Sequence, residues 1–279
     1  MQRSVTIQVQ RHEVPQADFD GLIRLYPEGN RGGISFHCYL PQESNVLRAI
    51  QEYLADRGLT PWLGRGARVK ARHEYEMILS RTYDVQDWKR AAYLEPTPWL
   101  WLGKYETRRY GKPLQIQGEH AKQRLNIALV NQWWIVVSEK VRVSMEKAGL
   151  LHVAFKPVET IGRETTPGAC QIWELTSDIF LPPLSPKCEL VDSCGNPSKG
   201  DNLTHGCYLR EGLYGSPEKH YKESAITSVE PFDLARTNER FGPNEIQADH
   251  QLVASQRFYQ FCVSQAFDMR WIPVRIDPD

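Results

Sequence analysis

The chain has 279 residues, 41% of them apolar and 24% charged, and its 34 basic side chains are balanced by 34 acidic ones. A chain of this length buries roughly three quarters of its unfolded surface, enough for one large domain or two small ones, and the composition excludes global disorder. Zero net charge makes nucleic acid an unlikely partner, because such proteins concentrate basic side chains; the runs Arg65–Arg72 and Arg108–Lys112 read as solvated faces or loop ends.

No stretch approaches the ~20 consecutive apolar residues that cross a bilayer. The N-terminal sequence MQRSVTIQVQRHEVP lacks the apolar segment and small-residue cleavage site of a secretion signal. A cytoplasmic protein is therefore expected, with no membrane partner. Its six cysteines are then expected as reduced thiols or metal ligands rather than disulfides.

In chain order, Ser4–His12 alternates apolar and polar residues, a strand pattern. Ile34–Leu40 is a second apolar strand, preceded by the turn-forming run Gly29–Gly33. From Ser44 a helix is expected, with Val46, Leu47, Ile50, Tyr53 and Leu54 on one face and Gly58 ending it. Glu74–Tyr83 reads as a strand. A helix begins near Asp84, its buried face supplied by Trp88, Ala91, Ala92 and Leu94, and prolines 96 and 98 stop it. Trp99–Leu102 and Lys104–Tyr110 read as strands around Gly103.

The clearest signal is a repeat. Residues 134–158 (WIVVSEKVRVSMEKAGLLHVAFKPV) and 251–274 (QLVASQRFYQFCVSQAFDMRWIPV) both read as apolar strand, Ser, short amphipathic helix, apolar strand, Pro-Val, in register with one gap at Gly149. Ser138 and Ser255 are placed to cap the two helices. The exit strands are Leu151–Phe155 and Met269–Ile276. They lie parallel beside their entering strands, or turn back antiparallel in an α+β layer; the pattern allows both. Between the copies, residues 160–249 form an irregular, loop-rich insertion with one strand at Cys170–Leu175. Pro182–Pro243 holds seven of the 18 prolines and three of the six cysteines. The expected fold is thus α/β or α+β: repeated strand–helix–strand units on a mixed sheet, with this insertion. The division is 1–130, an N-terminal α/β part, and 131–279, or one continuous domain.

Nucleotide-binding glycine loops, a nucleophile elbow and a His-Glu-x-x-His zinc motif are missing from the sequence. His73-Glu74-x-Glu76 and Asp249-His250 with Ser255 contain reactive residue types, but solvated edges and a helix cap account for them equally. Cys188, Cys194, His205 and Cys207 could together close a tetrahedral Zn²⁺ site that pins the insertion, or could be free thiols. Eight tryptophans are present, and Trp99 and Trp101, two apart in a strand, share a face. They belong to the core if buried and make anchors for a protein partner if exposed.

The run TSDIFLPPLSPKCELVDSCGN (Thr176–Asn196), then Pro231-Phe232-Asp233-Leu234, then the terminal SQRFYQFCVSQAFDMRWIPVRI, resembles the double-CXXCG motif proteins. That family is associated with immunity to bacterial polymorphic toxins, and the likeness covers about half of the chain, Trp134 to Ile276. The family's two Cys-x-x-Cys-Gly motifs are not matched here. Cys194-Gly195 stands with the lone Cys188 and Cys207, so a family zinc is either lost or held with His205. What the resemblance implies is a non-enzymatic immunity protein that neutralises a cognate toxin in the cytoplasm. Two other readings stand beside it: a zinc-binding, nucleic-acid-associated or structural protein, and an enzyme assembled from distant residues such as His37, His73 or His250.

Overall fold

In the computed structural model, residues 2–62, 74–102, 113–117, 125–130, 134–161, 171–191, 207–209, 218–242 and 248–279 are described. The fold is α+β with mixed sheets, and the described residues divide into two compact units, one of them Met1–Asp84 with Leu209 and the other the remainder.

The first unit runs β1 (Gln2–Gln10), α1 (Gln16–Leu25), β2 (Asn30–Arg31), β3 (Ser35–Pro41), α2 (Asn45–Ala55), β4 (Thr60–Trp62) and β5 (Glu74–Thr82). Its sheet order is β2-β3-β1-β5-β4. One residue in two along β1 and β3 points to the core: Val5, Ile7 and Val9 lie beside Leu40, Cys38 and Phe36. The helices cover that face with Phe19, Leu22, Leu47, Ile50 and Leu54. Ser44 caps α2 by accepting from the Leu47 N–H, and Gly58 closes it at φ 69°. Helix α1 was not read from the sequence, although Phe19, Leu22 and Ile23 lie on its core-facing side.

The second unit contains α3 (Val85–Arg90), β6 (Tyr93–Pro98), β7 (Trp101–Leu102), β8 (Gln115–Gln117), β9 (Ile127–Val130), β10 (Trp134–Ser138), α4 (Glu139–Lys147), β11 (Ala154–Pro157), β12 (Glu159–Ile161), β13 (Ile172–Thr176), β14 (Leu190–Val191), β15 (Tyr208–Leu209), β16 (His220–Lys222), α5 (Glu223–Thr227), β17 (Leu234–Phe241), β18 (Asp249–Ser255), α6 (Gln256–Ser264) and β19 (Met269–Asp277). Two five-stranded sheets result, β11-β13-β10-β9-β7 and β16-β19-β6-β18-β17. The expected strand Lys104–Tyr110 lies outside the described residues, and of Trp99–Leu102 only the last two residues are strand.

Each repeat copy is a split strand–helix–strand unit. β10 and β11 both pair antiparallel with β13, so they run parallel to each other with β13 between them. β18 and β19 stand in the same relation to β6. The geometry is therefore neither of the two expected: the exit strand is parallel to the entering one but not its neighbour. The likeness also reaches upstream, since β9 and β17 pair antiparallel with the entering strands. The cap residue N–H bonds the carbonyl just before that upstream strand in both copies: Ser138 to Asn126 and Ser255 to Asp233, each at 3.0 Å.

Both expected caps form. Ser138 accepts from the Val141 N–H and Ser255 from the Phe258 N–H. Each helix then ends eleven residues on in a left-handed residue, Gly149 at φ 61° and Ala266 at φ 52°. The single gap therefore falls after Gly149, in the turn that carries His152 at φ 58°, and β11 starts only at Ala154. A shared core joins the copies: Ile135, Val137, Val141 and Met145 from the first meet Leu252, Phe258, Cys262 and Trp271 from the second. β10 is buried at all five positions, because Trp134 and Val136 face a second core with Ile116, Ala128 and Ile172.

The last sheet is curled until its outer strands approach. A strap, residues 179–188, touches both. On β17, Leu181 N–H donates to Arg236 and Arg236 N–H to Ile179, both at 2.8 Å; on β16, Ser185 N–H donates to His220 at 2.7 Å. Leu181 and Ser185 are at most about 14 Å apart along the chain, whereas a flat five-stranded sheet is about 19 Å wide. Lys219, next to β16, holds its amine 5.1 Å from the centre of the Phe241 ring on β17.

Candidate functional site

Trp99, Leu100 and Trp101 are consecutive exposed residues on the segment that leaves β6 of one sheet and enters β7 of the other. They are 63%, 49% and 44% exposed. Their backbone is nevertheless fixed. Trp99 N–H donates to Asp268 at 3.2 Å, Leu100 carbonyl accepts from Leu129 at 2.8 Å, and Trp101 pairs with Leu129 on β9. Three consecutive large apolar side chains in water, on backbone that does not have to be ordered on contact, are the arrangement expected of partner anchors.

The metal candidates are only partly described. Cys194 and His205 lie outside the described residues. Cys188 closes the strap: its sulfur accepts from the His220 backbone N–H at 3.2 Å. Cys207 is buried beside Phe241 on β17, its N–H donating to the Arg240 carbonyl at 2.8 Å. Burial pushes the Cys188 thiol up to about 11 and the Cys207 thiol to about 12, and Lys219 and Glu239 act electrostatically on both. These are weak nucleophiles as they stand, since the thiolate is the reactive form.

Beneath the strap the curled sheet encloses polar groups. Lys219, 2% exposed, pairs with Glu95 of β6. Glu239 accepts from Leu184 N–H of the strap at 2.8 Å, and burial raises its carboxyl above the usual range. Tyr221 is wholly buried, and its hydroxyl has no hydrogen-bond partner among the described residues. At the rim, Asp277 accepts from His220 Nδ1 at 3.1 Å and Ser185 Oγ at 2.9 Å, and Lys187 lies at 3.1 Å. Burial alone would raise the Asp277 carboxyl; those three partners outweigh it and hold it at about 2.

The Asp249-His250 pair lies in a cleft where β13 of the second sheet meets β17 and β18 of the third, lined also by Trp134, Lys156, Glu174 and Arg236. His250 Nδ1 is 2.8 Å from the Thr237 carbonyl. It therefore carries its proton there, leaving Nε2 as the lone pair. Burial depresses the pKa of this histidine, against the pull of Asp249. Asp249 instead receives the Trp134 indole N–H at 2.7 Å. Ser255 Oγ donates to Asp233 at 2.7 Å, so serine, histidine and aspartate do not form a relay. The cleft encloses about 20 Å³, room for one water rather than a metabolite. Of the other histidine-centred candidates, His73 and the Glu76 side chain are outside the described residues, Glu74 is buried, and His37 sits on β3 of the first unit.

A site that sequence reasoning missed joins the two copies. Asp233, 3% exposed, accepts from Leu151 N–H at 2.8 Å, Ser255 Oγ at 2.7 Å and Arg257 Nη1 at 2.8 Å. Arg257 Nη2 in turn donates to the Ala148 and Gly149 carbonyls at the end of α4. One carboxylate thus ties the turn after the first helix to the cap of the second.

No protein-family model matches the chain, and no curated protein does. Among the described residues no helix is long and apolar enough to cross a membrane.

Proposed function

We propose that this is a non-enzymatic immunity protein that binds and neutralises a cognate bacterial toxin in the cytoplasm. The observation that carries the reading is the exposure of Trp99, Leu100 and Trp101 on backbone held by hydrogen bonds to Asp268 and Leu129. Large aromatic side chains lose little conformational freedom on contact and dominate the energetics of interfaces of ~1,600 Å². Support also comes from the resemblance of Trp134–Ile276 to proteins of toxin immunity. Occlusion requires a complementary surface and no chemistry of the inhibitor's own, which suits a scaffold whose polar groups are largely bonded to one another.

The test is co-purification with the product of the adjacent gene, and survival of cells that express it. Wild-type protein is expected to bind and protect. Trp99→Ala and Trp101→Ala are each expected to cost about 2 kcal/mol of binding, about 30-fold in Kd, with unchanged thermal melting. A wild-type chain that neither binds nor protects overturns the proposal. Binding that survives both substitutions moves the interface elsewhere.

A further inference from the structure

We draw no further inference here: the strongest candidate, the half-exposed Phe180 ring beside β17 with Arg236 3.9 Å over its face and His250 at its edge, has the composition of a partner contact, but nothing in the structure shows what covers it.

Discussion

Asp233 offers the sharpest test of how the second unit is held together. Its carboxylate is buried and takes three hydrogen bonds, from Leu151 N–H, Ser255 Oγ and Arg257. Bonds to a charged group contribute about 1.5–3 kcal/mol each, and do not sum when they share one acceptor. The Arg257 contribution is the smallest, because that side chain is 53% exposed and its pairing is screened by solvent. Asp233→Ala strands the Leu151 N–H and unseats the Ser255 cap, so a loss of about 3–4 kcal/mol is expected. Asp233→Asn keeps an acceptor for Leu151 but turns an amide toward Arg257, and about 2 kcal/mol is expected. Arg257→Ala should cost about 1 kcal/mol. Urea unfolding at pH 7, followed by tryptophan fluorescence, reads all three. In the double variant Asp233→Ala/Arg257→Ala the losses should be less than additive, since both remove the same ion pair. A loss below about 1 kcal/mol for Asp233→Ala would refute the assignment of this residue as the tie between the copies.

Three further outcomes follow from the same geometry. Ala266 occupies the left-handed position that Gly149 fills in the other copy, so Ala266→Gly should stabilise by about 0.5–1 kcal/mol and Gly149→Ala destabilise by about 1, measured as shifts of the urea midpoint. Asp277 is held at about 2 against an ordinary 3.8. Its folded pKa is depressed, so its stabilisation is present above about pH 4 and is lost as pH falls toward 2; the amount is about 2 kcal/mol, and Asp277→Asn should flatten that acid limb. Tyr221→Phe removes a buried hydroxyl with no partner among the described residues, and should be neutral or stabilise by up to about 1 kcal/mol; a loss above that would mean the hydroxyl is bonded.

The repeat was legible because its signals are local. In both copies the serine cap forms as read, and the apolar stripe is buried at Val141 and Met145 and at Phe258 and Cys262; the left-handed ending was read only at Gly149, since an alanine at 266 gives no such signal. What the sequence concealed is the partner strand. β6 reads as a stop signal because it carries Pro96 and Pro98, yet it is the middle strand between β18 and β19. The prolines are tolerated because β18 pairs with β6 only at Tyr93 and Leu94, while the ladder to β19 continues through Pro98. A proline on that stretch deprives no neighbour on the β18 side of a donor. The parallel-or-antiparallel question had a third answer for the same reason: the strand that separates β18 from β19 lies some 160 residues upstream, and a local pattern carries no trace of it. Asp233 was hidden likewise, since its three donors come from segments up to 82 residues away.

The three motifs singled out in the sequence, Thr176–Asn196, Pro231–Leu234 and the terminal segment, have structural roles in this fold. The Pro-Pro-Leu-Ser-Pro-x-Cys run is the strap that closes the curled sheet, with prolines where no backbone donor is needed and Ser185 and Cys188 bonded to β16. Pro231-Phe232-Asp233-Leu234 contains the tie between the copies, and the terminal segment is the second split unit. A chain sharing these motifs would share the closed sheet and the paired modules, because the motifs are what those features require. It would not thereby share a partner. Under the proposed function, two proteins of this architecture that neutralise different toxins should differ at positions such as Trp99 and Trp101, outside all three motifs. Exchanging residues 99–101 between two such proteins should then move binding toward the donor's toxin and leave melting unchanged. An exchange that leaves specificity intact would place recognition elsewhere on the surface.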